Sequence, residues 1–196
     1  MTSSSGSVRL RFRIIGLGNP GSEYVDTRHN IGYQLLDVIA ENKNIVFDKK
    51  KYNALYTEYR YKDEKILLVK PLSYMNLSGV VVKKFVDYFK VSLDNLLVIH
   101  DDLDMSFGRI KFVYNSNDGG HNGIKDIEKQ LASKSYLRLK IGISNDKSID
   151  TKNYVLGKFS KEEKEKLDLI YDSLKYVSDD FCDLSYEQLM SKYNKK

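Results

Sequence analysis

The sequence predicts one α/β domain: a single twisted, mixed β-sheet with helices on both faces. Three observations carry that expectation. Short apolar runs alternate with amphipathic stretches along the chain, with no repeat or internal linker between them. Two neighbouring runs, 54–61 and 65–69, are joined by the polar "KDEK" and read as an antiparallel pair, which makes the sheet mixed rather than purely parallel. A length of 196 residues with 41% hydrophobic residues suits one core of ordinary size.

In chain order, "MTSSSGSV" is Ser/Gly-rich and lacks the apolar stretch of a signal peptide, so 1–8 reads as a flexible extension ahead of a domain at 9–196. Strands are expected at 10–15, 54–61, 65–69, 95–100, 109–114 and 137–143. Helices are expected at 31–42, 79–89, 123–131, 161–177 and 186–193. The second helix sets Val81, Val82, Phe85 and Phe89 on one side at three- and four-residue spacing, with Ser78 as its N-cap.

Cys182 is the only cysteine, so no internal disulfide forms, and no apolar run approaches the roughly 18 residues of a membrane span. A soluble protein of a reducing compartment, the cytoplasm, is the expectation. The net charge is +5, and its excess lies in the first 150 residues, which hold 23 Lys+Arg against 18 Asp+Glu. Such a balance permits a nucleic-acid partner without establishing one.

The stretch "GLGNPG", from Gly16 to Gly21, satisfies the GxGxxG pattern of a dinucleotide-binding turn. That pattern needs its third glycine inside the opening turn of a helix, where the pyrophosphate sits. Here the helical pattern begins only at Ile31, after nine mostly polar residues, and the acid due about 20 positions on is missing. Asp48, 27 positions past Gly21, is the nearest and is followed by three lysines. Nicotinamide cofactor binding is therefore set aside.

The loop instead carries side-chain chemistry: Asn19, Tyr24, Arg28, His29 and Asn30 follow the first strand, at the strand end where open α/β sheets place ligands. All three histidines recur in comparable settings, His29 in "TRHNIG", His100 in "VIHDDLD" and His121 in "GGHNG". Any one of them alone reads as a cap or a local pair; the recurrence favours a site. Asp101, Asp102 and Asp104 end a buried-looking strand, and alternation lets at most one or two of them face a common site. A metal cluster is conceivable there, but no HxH or HExxH spacing accompanies it. A carboxylate that orients a histidine and steadies its charged form explains the same residue with less machinery. In "KPLSYMNLSG", Tyr74, Met75 and Asn76 stand in a turn before a helix, and Asn76 reads either as a turn residue or as a neutral amide aimed at a substrate carbonyl.

Taken together, "GLGNPGSEYVDTRHNIGY", "KPLSYMNLSG", "HDDLDMSFGRIK", "GGHNGIKDI", "LRLKIGIS" and "YVLGKFS" resemble bacterial-type peptidyl-tRNA hydrolase, in order and over nearly the whole chain after the extension. The resemblance implies a monomeric α/β enzyme without metal or organic cofactor. It hydrolyses the ester between a peptide and the 3′ end of tRNA, recycling tRNA from aborted translation. It makes His29 the general base that activates water, with Asp101 orienting it, and gives Asn19 a part in telling a blocked peptidyl amide from a free amino group. Asn76 and Asn122 then hold the peptide end, the water or the 3′ nucleotide, with Tyr24 and Tyr74 beside them. Arg109, Lys111, Lys125, Arg138 and Lys140 are the candidate contacts to acceptor-stem phosphates. The alternative is a non-catalytic RNA-binding scaffold of the same fold.

Two departures accompany the match. Where many relatives place a second basic residue two positions after Lys111, this chain has Val113. The glycine-rich run before "GGHNG" is replaced by Asn115 to Asp118, which is less permissive of positive φ, although Asn and Asp tolerate it better than most residues. The region from about Asp180 matches least and is expected to form a helical cover over the cleft.

Overall fold

The computed structural model describes residues 9–194; the extension expected at 1–8 lies outside the described residues. The chain runs β1 (Arg9–Gly16), α1 (Ile31–Asn42), β2 (Lys49–Lys51), β3 (Ala54–Tyr61), β4 (Glu64–Pro71) and α2 (Ser78–Tyr88). It continues through β5 (Leu96–Asp102), β6 (Ile110–Tyr114), α3 (Asn122–Leu131), β7 (Leu137–Gly142), α4 (Thr151–Val155), α5 (Lys161–Leu174), α6 (Val177–Asp183) and α7 (Tyr186–Tyr193).

The strands form one seven-stranded sheet in the order β2-β3-β4-β1-β5-β7-β6. The inner strands β4, β1, β5 and β7 are parallel, whereas β2, β3 and β6 join antiparallel at the two sides. The sheet is therefore mixed, as the "KDEK" hairpin predicts. Strand alternation sends Ile14, Leu68, Ile99 and Leu139 to one face, where Leu35, Leu36 and Ile39 of α1 and Leu167 and Leu174 of α5 cover them. Ile15, Leu67, Val69 and Val98 face the other side, under Val81, Val82 and Phe85 of α2 and Ile124 and Ile127 of α3. All seven residues of β5 are buried, which suits a parallel strand covered from both sides.

Where structure and expectation differ, the causes are local. β2 is a run of three lysines with no apolar alternation, paired with β3 and with Lys51 over the Tyr88 ring of α2. The helix expected at 161–177 stops at Leu174 and a new one, α6, starts at Val177. Ser78 is not an N-cap: it is the first residue of α2, its hydroxyl donates back to the Met75 carbonyl at 2.8 Å, and Leu77 holds the cap position without a side-chain bond. Asn115 adopts φ 51°, so the departure from a glycine-rich run is accommodated by the residue type that best tolerates it.

The region after Asp180 does not cover the cleft. Phe181 packs edge-on to Phe12 at 5.3 Å, and Tyr186 meets Tyr114 at 5.6 Å, both at the start of the parallel strands. The Asn194 side chain accepts from the Phe112 N–H at 2.6 Å and donates to its carbonyl at 3.0 Å, closing the outer side of edge strand β6. The cleft is covered by α4 instead. Among the described residues, no helix is long and apolar enough to cross a membrane.

Candidate active site

The parallel strands β1, β4, β5 and β7 end at Gly16, Pro71, Asp102 and Gly142 on one edge of the sheet, and the site is built there. α1 returns tightly against that edge because Gly16 and Gly32 face each other without side chains. A Cβ on Gly16 would lie 2.4 Å from the Gly32 carbonyl oxygen, and one on Gly32 the same distance from the Leu17 nitrogen. This close approach places the 3-10 turn Arg28–Asn30, just ahead of α1, beside the end of β5. The glycines of "GLGNPG" thus serve chain packing, and the loop expected between Gly21 and Ile31 is present as two short 3-10 turns.

Asn30 fixes the turn's other end. Its side chain accepts from the Asn19 N–H at 2.8 Å and donates to the Asn19 carbonyl at 3.0 Å. The Asn19 side-chain oxygen in turn accepts from the Met75 N–H at 2.8 Å, which leaves its Nδ2 donors facing the cleft without a protein partner among the described residues. Two buried amides, those of Asn30 and Asn19, therefore join three loops, and Asn19 still offers a neutral donor.

The chemistry centres on Asp101. Its carboxylate accepts from His29 Nδ1 at 2.9 and 3.0 Å and from His121 Nε2 at 3.0 Å. Burial by itself would raise the carboxyl's pKa, but the two imidazoles, by charge and hydrogen bond, outweigh it and hold the group well below the usual carboxylate range. An ionised Asp101 has only acceptors, so both rings must present N–H to it.

The two histidines then diverge. His121 uses its second nitrogen as well, because Nδ1 accepts from the Ile124 N–H at 3.3 Å as the N-cap of α3. A proton on that nitrogen would oppose another donor. Burial is the main cause that lowers its pKa, and His29 and Arg138 add to the effect against the pull of Asp101. His29 has no such second contact. With Nδ1–H committed to Asp101, its Nε2 carries a lone pair that meets no protein donor among the described residues, on the wall of a cleft of about 740 Å³. His100 completes a row of rings, with centroids 4.8 Å from His29 to His121 and 4.8 Å from His121 to His100. It donates through Nδ1 to the Asp101 carbonyl at 2.7 Å, and full burial keeps it neutral, reinforced by His121 and Arg138.

Stability should follow pH accordingly. His100 and His121 are held below their ordinary value of 6.5 in the fold and regain it on unfolding, so the unfolded chain binds more protons once the pH drops below that value. The unfolding free energy is expected to fall between about pH 7 and pH 5, with a smaller fall for His100→Asn. A denaturation series that gives a flat profile for the intact chain would contradict this assignment of neutral imidazoles.

His29, Asp101 and His121 are also the set of ligand-type side chains, among the described residues, whose atoms lie close enough for a metal ion, within 4.8 Å. As arranged, both imidazoles direct N–H donors at the carboxylate, so a metal would have to displace those protons. Tyr24, Tyr74, Asn76 and Asn122 also line the cleft, and the amides of Asn76 and Asn122 are exposed with no protein partner among the described residues. Asp102 also lines the cleft and pairs with Lys140.

The candidate phosphate contacts separate. Arg109, Lys111 and Lys125 are exposed and make no ion pair among the described residues. Lys140 stands directly opposite Lys111 in the β6/β7 register, partly screened by Asp102. Arg138 is corrected: it is 1% exposed, buried beside Val98 in the sheet under α3, and donates to the Asn117 carbonyl at 2.9 Å, so it cannot meet a phosphate in this arrangement. Two contributors to the site lie outside the expected set. His121 stood out only as one of three recurring histidines, and the α4 wall, with Thr151, Lys152, Val155 and Leu156, had no periodic pattern to mark it.

Fold and site define a single-domain α/β protein with a histidine–carboxylate cluster in a cleft that three asparagines help to line. A family profile described as peptidyl-tRNA hydrolase matches residues 13–196. The peptidyl-tRNA hydrolase of Clostridium novyi is 39% identical over 183 residues, covering 93% of this chain and 97% of the relative. That of an Exiguobacterium species is 42% identical, covering 92% and 98%. The crystal structure of the Acinetobacter baumannii peptidyl-tRNA hydrolase superposes with a TM-score of 0.88 at 31% identity, covering 94% of each chain. The chain belongs to the peptidyl-tRNA hydrolase family.

Proposed function

We propose that this chain hydrolyses the ester linking a peptide to the 3′-terminal ribose of tRNA, with His29 as the general base. The observation that carries the reading is the free Nε2 of His29 on the cleft wall, opposite an Nδ1 held by Asp101. Nε2 takes a proton from water, the resulting hydroxide attacks the ester carbonyl, and the bond from carbonyl carbon to ribose oxygen breaks as that oxygen receives a proton from the imidazolium. Asp101 stabilises the transient imidazolium and fixes the tautomer that makes Nε2 a base. Asn19, Asn76 and Asn122 supply neutral donors for the developing oxyanion and the peptide group, and Tyr24 and Tyr74 flank them.

The absence of a fixed charge among these amides also supports discrimination. A site built for a neutral peptide N–H leaves the ammonium of an unblocked aminoacyl group poorly solvated. The chain acts as a monomer, needs neither metal nor organic cofactor, and works in the cytoplasm, where its substrate is made. No comparison favours the scaffold alternative. An assay of N-acetyl-aminoacyl-tRNA tests the choice: turnover by the intact chain supports the enzyme, and tRNA binding without release of the amino acid supports the scaffold.

Arg109, Lys111 and Lys125, with Lys140 after displacement from Asp102, contact acceptor-stem phosphates in this reading. Replacing Arg109 or Lys111 by Ala is expected to weaken tRNA binding and to reduce the slope of log affinity against log salt by about one each. Unchanged slopes in a salt titration would move the tRNA elsewhere on the surface.

A further inference from the structure

The residue before the proposed base carries its own set of contacts, directed away from the reacting centre. The Arg28 guanidinium meets both carboxylate oxygens of Glu163, at 3.0 and 3.2 Å, and lies 4.5 Å from the centre of the Tyr154 ring and 5.6 Å from that of Phe159. Its backbone N–H donates to the Gly157 carbonyl at 3.0 Å. Gly157 is where the chain passes closest: a Cβ there would stand 2.8 Å from an Arg28 terminal nitrogen. Neighbouring backbone contacts from Thr27 to Lys158 and from the Phe159 N–H to the Asp26 carbonyl continue the same seam. The far side of Tyr154 is tied down by its hydroxyl, which donates to the Ile143 carbonyl just beyond β7 at 2.7 Å.

Tyr154 belongs to α4, which walls the cleft, and Gly157 and Glu163 follow it closely in the chain. α4 has only five residues, too few to hold its own place, yet Thr151, Lys152 and Val155 from it line the cavity. We propose that Arg28 is a positioning residue: by clamping Tyr154, Gly157 and Glu163 it sets the distance of the α4 wall from the adjoining His29, and so the width of the cleft that receives the acyl end of the substrate. The inference rests on the hydrolase reading for its kinetics but not for its structural test. Arg28 itself does not touch the reacting atoms. Both carboxylate contacts come from one terminal nitrogen, Nη2, and it is the placement of the flat guanidinium over the Tyr154 ring that lysine does not reproduce.

Two variants and two readouts test it. In Arg28→Lys, hydrogen exchange of the amides from Tyr154 to Phe159 should accelerate, and KM for N-acetyl-aminoacyl-tRNA should rise on the order of tenfold with kcat changed by less than about threefold. The pH profile of kcat should stay where it is, because Nδ1 of His29 still faces Asp101. Glu163→Gln keeps an acceptor for the Ser160 N–H at the start of α5 and removes the charge, so it should shift both readouts the same way, less far. Once Arg28 is replaced, adding Glu163→Gln should have little further effect. Unchanged exchange at Tyr154 to Phe159 in both single variants overturns the clamp whatever the enzyme does. A fall in kcat at constant KM also overturns it, by assigning Arg28 to the base. Failure of the unaltered chain to turn over the ester, with exchange responding as expected, would instead count against the hydrolase reading alone.

Discussion

His29→Ala is expected to lower kcat for N-acetyl-aminoacyl-tRNA by roughly 10² to 10⁴, the range for loss of a general base, while tRNA binding stays near that of the intact chain. The expectation follows from the division of labour around Asp101. His121 has both nitrogens in use, one on Asp101 and one on the Ile124 N–H, and His100 directs its N–H at a backbone carbonyl. Neither can replace the missing Nε2 of His29. Single-turnover rates together with a binding isotherm separate the two effects. A variant that retained most of its rate would place the base elsewhere.

Asp101→Asn should be nearly as damaging, by a different route. The substitution keeps the shape but replaces an oxygen that accepts from two imidazoles with an amide that also donates. Where the amide NH₂ faces His29, the ring turns to the other tautomer, with its proton on Nε2, and the group on the cleft wall becomes a donor instead of a base. A loss in kcat on the order of 10² to 10⁴ with a modest change in KM is the expected result. The same change removes a charge that two buried imidazoles stabilise, so stability should also shift, and calorimetry on the variant keeps the kinetic effect from being mistaken for unfolding.

Much of this arrangement was legible in the chain because it depends on strand ends and short polar motifs. An apolar run that stops at "HDD" places Asp101 at the edge of a sheet, and a glycine turn with no helix behind it leads to Asn19 and His29. The partnership of His29 and Asp101, 72 positions apart, came from the family resemblance and is met in the structure by a contact of 2.9 Å. What stayed hidden depends on packing. Arg138 looked like a surface cation in an alternating strand, yet α3 covers that face and buries it. His121 stood out only through the recurrence of the three histidines, because its bond to Asp101 exists only once α3 is laid across β5. α4 is too short for a period, and its anchor is a guanidinium more than a hundred positions away. The C-terminal helices were expected over the cleft because they came last and matched least; Phe12, Phe112 and Tyr114 drew them to the edge of the sheet and to the opposite ends of its strands.

The most direct test of the central claim is the hydrolysis of one aminoacyl-tRNA in two forms, N-acetylated and free, by the intact protein under identical conditions. The account predicts rapid release from the blocked form and little from the free form, since Asn19, Asn76 and Asn122 offer neutral amides that match a peptide group. Equal rates on both forms, or release from neither, would contradict it.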